Sequence, residues 1–433
     1  MKRKMKRDFF TYLPSEVIIN ILSRLPIRTI ARSKCVCKPW LHLLETDEFV
    51  SSHHAESVPT LVVLTPFWTH NPFSFFEYEY VRRETRCESH TMVDRQSLCT
   101  VYEFEDDHNL KQRDLQYNQL TRFYFPHRVE IMGSANGLLF LSKQSEVHYV
   151  CNPITREYVE VHFPEELIQP CPEDEEDEVD PEILEEPVYD DHQSVTYGFG
   201  VSKITGKHKV VRISHGFVTD QGGRRIIPKS VCHVHTLGTG SWRHVESGAP
   251  FEYSERTSCV FLNGTLHWIV SDSYSKLWIS CFDLEEERFR TFSTPPIYDE
   301  SHDLLAGLST LGDCLCLCDN TGEDGETVIW LMKEYGINKS WTKEHVIYIN
   351  EDLLMDGSEL VYPLKVVKNG DILMLRESSQ LVYYSSKTFI AEPLHFPDED
   401  SDEDPNSDPV YSILLTPSFL SLKSLKMDNL FSF

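Results

Sequence analysis

Residues 260–292 read VFLNGTLHWIVSDSYSKLWISCFDLEEERFRTF. Asn263-Gly264 stands between two apolar runs. An Asn-Gly pair favours the type I′ turn, whose twist suits a two-residue β-hairpin. The run TLHWIV after the turn is short and rich in β-branched and aromatic side chains, so it reads as a strand. SCFDLEEERFRTF, further along, reads as strand, polar turn, strand. The stretch is therefore predicted to hold two hairpins.

The same order recurs outward in both directions. Asn136-Gly137 precedes LLFL, Gly312-Asp313 precedes CLCLC, and Asn369-Gly370 precedes DILML. VCNPITREYVEV, LMKEYGINKSWTKEHVI and VYYSSKTFIAEPLHF supply second hairpins, and YGFGVSKITGKHKVVRI with VCHVHTLGTGSWRHV makes a related unit. The turns fall near 136, 205, 263, 312 and 369, a mean spacing of about 58 residues. Two hairpins per repeat of this length suit the four-stranded blades of a β-propeller. A weaker unit at 60–125, around TLVVLTPF and SLCTVYEF, brings the expected number to six. One blade cannot bury both its faces. Stacking blades in a ring buries them on each other and protects the strand edges. Two packed sheets in an open sandwich are the competing architecture.

Before the repeats, residues 12–49 read YLPSEVIINILSRLPIRTIARSKCVCKPWLHLLETDEF. Val17, Ile18, Ile21, Leu22 and Leu25 follow helical spacing and form one apolar stripe. Leu13-Pro14 suits a helix start and Leu25-Pro26 stops the helix. Ile27, Ile30, Ala31 and Cys35 make a second stripe, and Pro39 opens a third helix bearing Trp40, Leu43 and Leu44. Three short helices cannot bury all these faces on each other, so surplus apolar surface is expected to meet a partner.

Composition narrows the function. The chain has 433 residues and a net charge of −27, and Asp and Glu are concentrated in two tracts. Residues 165–191 hold fourteen Asp/Glu and residues 398–408 hold seven, with no Lys or Arg in either. Such composition predicts solvated loops. Nucleic-acid binding is disfavoured, because phosphate contact needs concentrated Lys and Arg. No apolar run reaches the ~18 residues of a membrane span. The basic start MKRKMKR lacks an apolar signal core, so a cytoplasmic or nuclear location is expected, with 1–8 a solvated tail or an import signal. In that setting the twelve cysteines read as reduced.

Cys314, Cys316 and Cys318 alternate on a strand, so neighbours on that face stand about 6.6 Å apart and the outer pair about 13 Å. Tetrahedral zinc cannot be closed by three such thiolates, and small core side chains are the better reading. His233 and His235 alternate likewise, a weak metal signal. Trp242, Trp268, Trp278, Trp330 and Trp341 recur at equivalent places and read as core. No phosphate loop, Gly-x-Ser-x-Gly or HExxH occurs. The expectation is a protein with no cofactor or metal and no catalytic residue.

Leu13-Pro14, Glu16, Ile21, Leu25-Pro26, the run 32–38, Trp40 and Phe49 resemble the F-box, in order and without gaps. GSANGLLFL, VCNPITREY, YGFGVSKITGKHKVVRI, VFLNGTLHW, FDLEEERF and IWLMKEYGINKSWTKE are similar to the F-box-associated domain of plant F-box proteins, near the kelch-type and S-locus groups. The acidic insert at 165–191 departs from that domain's compact form. The resemblance implies an α+β multidomain chain, with a three-helix F-box at 9–52 and a propeller-like domain at 60–397, followed by the acidic loop 398–408 and a C-terminal segment 409–433. It implies a substrate-recognition subunit of a Skp-cullin-F-box (SCF) ubiquitin ligase, partnered by the Skp adaptor, through it by cullin, and by a protein substrate of unknown identity. Leu13, Pro14, Ile18, Ile21, Leu22, Leu25, Pro26, Ile30, Val36 and Trp40 are the residues it assigns to the adaptor. A propeller enzyme or glycan-binding module with an incidental helical cap is the alternative.

Overall fold

The computed structural model describes residues 13–67, 96–105, 116–143, 147–164, 194–215, 218–219, 225–226, 230–245, 251–253, 259–272, 276–296, 306–320, 326–348, 360–367, 370–376, 381–388, 391–394, 411–427 and 429–433. Both acidic tracts, the basic tail and Asn369 lie outside the described residues.

Four helices come first: α1 (Ser15–Leu22), α2 (Ile27–Ser33), α3 (Lys38–Leu44) and α4 (Asp47–Glu56). Six antiparallel sheets of four or five strands follow, each a blade, and a two-stranded hairpin, Val218–Thr219 with Arg225–Ile226, lies between the second and third strands of the third blade. Blade 1 contains Thr60–Phe67, Gln96–Glu105 and Gln116–Phe125, and Tyr411–Leu415 completes it. Blade 2 contains Glu130–Ala135, Leu138–Lys143, Val147–Asn152 and Glu157–Val161, with Leu430–Ser432 added at its outer edge. Blade 3 contains Ser194–Val201, His208–His215, Val231–Thr236 and Trp242–Val245. Blade 4 contains Val260–Leu262, Thr265–Ser271, Leu277–Asp283 and Arg288–Ser293, with Glu252–Tyr253 also paired to Thr265–Ser271. Blade 5 contains Ala306–Leu311, Cys314–Asp319, Glu326–Met332 and Trp341–Tyr348. Blade 6 contains Val361–Val366, Ile372–Arg376, Leu381–Tyr384 and Ala391–Leu394.

Strand alternation explains how each blade serves two neighbours. In blade 2, Leu139 and Leu141 point into the core shared with blade 1, while Leu138 and Phe140 point into the core shared with blade 3. A strand buried on both faces reads as a continuous apolar run, which is why LLFL shows no alternation. The same division recurs in blade 5, where Leu315 and Leu317 face blade 4 while Cys316 and Cys318 face blade 6. Leu61, Val63 and Tyr102 of blade 1 pack with Leu373 and Leu381 of blade 6, so the sheets form a closed ring of six rather than an open sandwich.

The turns match their chemistry. Asn136 and Gly137 have φ of 44° and 84°, and Asn263 and Gly264 have 52° and 82°. Positive φ at both central residues is the type I′ geometry.

Three expectations are revised. Thr46 caps a fourth helix, accepting a hydrogen bond from Phe49 N at 3.3 Å, so the module has four helices rather than three. Its weak apolar periodicity hid it, since Phe49 and His53 are its buried residues. The stripe on α1 is rotated: Ile19 and Leu22 are buried, while Val17 and Ile21 face outward. Finally, 409–433 is not a separate segment. Tyr411–Leu415 pairs with Thr60–Leu64, so the propeller extends past 397 and the two chain ends close blade 1 together. Contiguous-sequence reading cannot find a four-stranded repeat whose strands lie at opposite ends of the chain.

Candidate functional site

The helices are seven to ten residues long. Helices this short are marginal alone and depend on tertiary packing. Pro14 and Pro26 occupy the N-cap positions of α1 and α2. Proline there fixes φ and removes a donor that has no partner in a first turn. The module's core is Ile19, Leu22, Ile27, Ile30, Leu44 and Phe49, joined by Phe419 from the far end of the chain.

The residues assigned to a partner fall into three groups. Leu22 and Ile30 are 3% and 0% exposed, so they pack the module itself and offer no surface to a partner. Leu13, Ile18, Leu25 and Trp40 are half-buried; Ile18, Leu25 and Trp40 lean on the core and keep part of their surface open. Pro14, Pro26, Ile21 and Val36 are exposed. Ile21 at 50% and Val36 at 64% are joined by Val17 at 42%, an apolar set for which the module has no internal use. Val17 was visible in the stripe and missing from the assigned set.

The module also rests on the ring. Phe419 is 6% exposed. The His53 ring of α4 lies 5.2 Å from it, and Lys34 Nζ, after α2, lies 5.1 Å from its centroid. His53 also stacks on Phe49 at 5.9 Å. Burial lowers the His53 pKa to about 4, with the neighbouring His54 adding to the effect. Leu120 of blade 1 and Ile154 of blade 2 flank the same core. Arg28 donates to the carbonyl of Gln119, and the ring of His54 meets the Pro417 carbonyl at 3.4 Å.

Blade 2 holds the segment that carries Phe419. Asn152, fully buried, donates from Nδ2 to the carbonyls of Ser418 at 3.1 Å and Leu420 at 2.7 Å. Its Oδ1 accepts from Ile154 N at 2.9 Å, which shapes the NPIT turn. Glu157 accepts from Leu422 N at 2.8 Å and the Ser421 hydroxyl at 3.0 Å. The approach to the Asn136-Gly137 turn is close: a Cβ at Gly137 would lie 2.2 Å from that of Ser418. Nothing near 419 in the sequence signals this role.

Elsewhere the ring is held by ordinary core chemistry. The sulfurs of Cys316 and Cys318 lie 3.9 Å apart in the core between blades 5 and 6, and burial raises the Cys316 thiol pKa. Trp268 and Trp341 are buried, and Trp242, Trp278 and Trp330 are half-buried. Trp242, Trp268 and Trp341 donate to backbone carbonyls of the preceding unit: His162 at 2.8 Å, Tyr197 at 3.3 Å and Ser293 at 3.1 Å. His235 stacks on Trp242 at 5.1 Å and meets the Ser241 carbonyl at 3.0 Å. Between blades 3 and 4, Lys209 Nζ lies 2.8 Å from Glu287 Oε1, which also receives Arg243. Burial lowers the Lys209 pKa and Arg243 adds to this, while Glu285 and Asp283 oppose it. Among the described residues no group of three or more His, Cys, Asp or Glu could hold a metal ion.

The model of the "F-box associated beta propeller domain" family matches residues 89–389, and that of the "F-box domain" matches residues 10–52. The chain is 26% identical to F-box protein At3g07870 of Arabidopsis thaliana, over 87% of this chain and 85% of that one. It is also 26% identical to F-box/kelch-repeat protein At3g23880 of the same plant, over 86% of this chain and 87% of that one. The crystal structure of TolB from Acinetobacter baumannii aligns at a TM-score of 0.31 and 10% identity, over 71% of this chain and 67% of that one.

Proposed function

Because the chain belongs to the family of proteins with an F-box and an F-box-associated β-propeller domain, we propose that it is a substrate-recognition subunit of an SCF ubiquitin ligase. Residues 9–52 dock on the Skp adaptor and through it on cullin. The propeller, from residue 60 through its closing strand at Tyr411–Leu415, receives a protein substrate. The observation that supports docking is the outward set Val17, Ile21 and Val36, on a module whose core is already filled. Apolar side chains left in this way favour association, and a standard interface buries about 800 Å² per partner. Leu13, Pro14, Ile18, Leu25, Pro26 and Trp40, exposed or half-buried, are the further candidate contacts.

The mechanism is positional. One end holds the ligase and the other a substrate, so a substrate lysine meets the conjugating enzyme at high effective concentration. That work asks for no catalytic residue in this chain, and a cytoplasmic or nuclear location goes with the proposal. Titration of the full chain with purified Skp adaptor tests the reading. Wild type is expected to bind at micromolar concentration or tighter, and Ile21→Asp with Val36→Asp to lose binding while keeping its circular dichroism. A folded wild-type chain that ignores the adaptor overturns it.

A further inference from the structure

We infer that closing the propeller completes the helical docking module: the strand that finishes blade 1 delivers Phe419 into the helix core, so the module is fully formed only on a closed ring. The inference rests on the docking role proposed above for what the module does, and on the following geometry for its dependence on the ring.

Tyr411–Leu415 pairs with Thr60–Leu64, the strand that follows α4. Thr60 reinforces the pairing, donating its hydroxyl to the Leu415 carbonyl at 3.0 Å. The chain then crosses the turns of blade 2. Asn152 takes the carbonyls on both sides of Phe419, and Glu157 takes the next two donors. These bonds fix the backbone at 418–422, and a fixed backbone fixes where the Phe419 ring points. The ring lies against His53 and Lys34 and joins a core of six buried apolar residues. In so small a core, one aromatic ring is a large share of the buried surface.

The consequence is an order of assembly. The helices are made first, but their core is filled by one of the last segments of the chain, and that segment is held only once blade 2 is folded and blade 1 is closed. A chain without its closing strand has helices that open more often. The adaptor then sees a smaller binding-competent fraction, and its apparent affinity falls by that fraction. Ligase recruitment is thereby tied to a finished substrate-binding ring.

The test compares full-length wild type, Phe419→Ala, Phe419→Leu and Asn152→Ala by amide hydrogen exchange. In Phe419→Ala the amides of α1, α2 and α4 are expected to exchange about tenfold faster or more, with blades 4 and 5 unchanged. Phe419→Leu restores most of the protection. Asn152→Ala, which leaves every helix side chain in place, speeds the same helices to a smaller extent. Adaptor affinity falls in the same rank order. Helices that exchange as in wild type in Phe419→Ala overturn the inference, and so does equal acceleration throughout the ring, which reports global unfolding. If the wild-type chain fails to bind the adaptor, the proposed function fails, while the exchange result still decides whether the ring completes the helices.

Discussion

The ring and the helical module bury their apolar side chains by different means. In the ring, each blade lends alternate residues of its strands to the two neighbouring cores, and six such cores follow one another until blade 6 meets blade 1. Each blade is thereby enclosed by the others, and no outside group is required. The helical module completes its core with Phe419 from the ring, flanked by Leu120 and Ile154, and leaves Val17, Ile21 and Val36 exposed. Repetition makes the larger unit self-sufficient, and smallness makes the other dependent on the ring.

The comparison breaks most visibly if the ring is weakened at one seam. Trp268 is 1% exposed between blades 3 and 4. Trp268→Ala should cost ~3–5 kcal/mol from lost burial and the cavity left behind. If the ring is one cooperative unit, thermal unfolding should lose strand and helix signals together. A helix signal that survives loss of the strands shows a self-sufficient module. The charged link at the same seam sharpens the point. The side chains of Lys209 and Glu287 are 9% and 13% exposed. Glu287→Gln should cost about 2–3 kcal/mol, because it leaves a poorly hydrated ammonium without its counter-charge. Lys209→Met in the Glu287→Gln background should recover much of the loss in urea unfolding. A second loss that simply adds to the first rejects the pairing.

The ring was largely legible in the sequence and the helical module's inner contact was not. Type I′ turns need particular residues, so Asn136-Gly137 and Asn263-Gly264 announced hairpins at the right places. Runs such as LLFL and CLCLC announced strands. Those are local signals, and local sequence carries them. The exposed apolar set on the helices was half legible. Period counting put Val17, Ile18, Ile21, Leu22 and Leu25 on one stripe, but on a short helix a small rotation decides which edge is core, and packing partners set that rotation. The Asn152–Phe419 connection joins residues 267 positions apart and had no local mark. A phenylalanine in PSFLSL looks like any buried aromatic until the chain's two ends are known to meet.

Acidification tests the module's inner side more gently. His53, between Phe49 and Phe419, has a pKa lowered from 6.5 to about 4 by burial. Between those values the unfolded chain binds a proton that the folded one refuses, so stability falls as pH falls through that window. For this residue the loss is about 1.4 kcal/mol at pH 5.5 relative to pH 8. His208 and His267, with pKa values also lowered to about 4, add the same sign in the ring. Exchange of the α4 amides at pH 5.5 and 7.5 separates the contributions. His53→Phe should flatten the dependence in α4 and leave that of blades 3 and 4 intact. An unchanged α4 profile shows that His53 is not enclosed by Phe419.

The smallest effect concerns α4 itself, the helix that gives the module its contact with the ring. Its start depends on Thr46, whose hydroxyl accepts from Phe49 N at 3.3 Å and donates to the Leu43 carbonyl at 2.7 Å. Asp47 and Glu48 then place negative charge at the positive end of the helix. Thr46→Ala removes the cap and should cost ~1 kcal/mol. If the helices open independently of the ring, that loss appears as about fivefold faster exchange in α4 alone, with the melting temperature of the ring unchanged. If α4 is instead welded to the ring through His53 and Phe419, the same loss lowers the one shared melting temperature by a degree or two and leaves local exchange near wild type. One conservative substitution thus asks whether the helical module is a separate folding unit or a component of the ring.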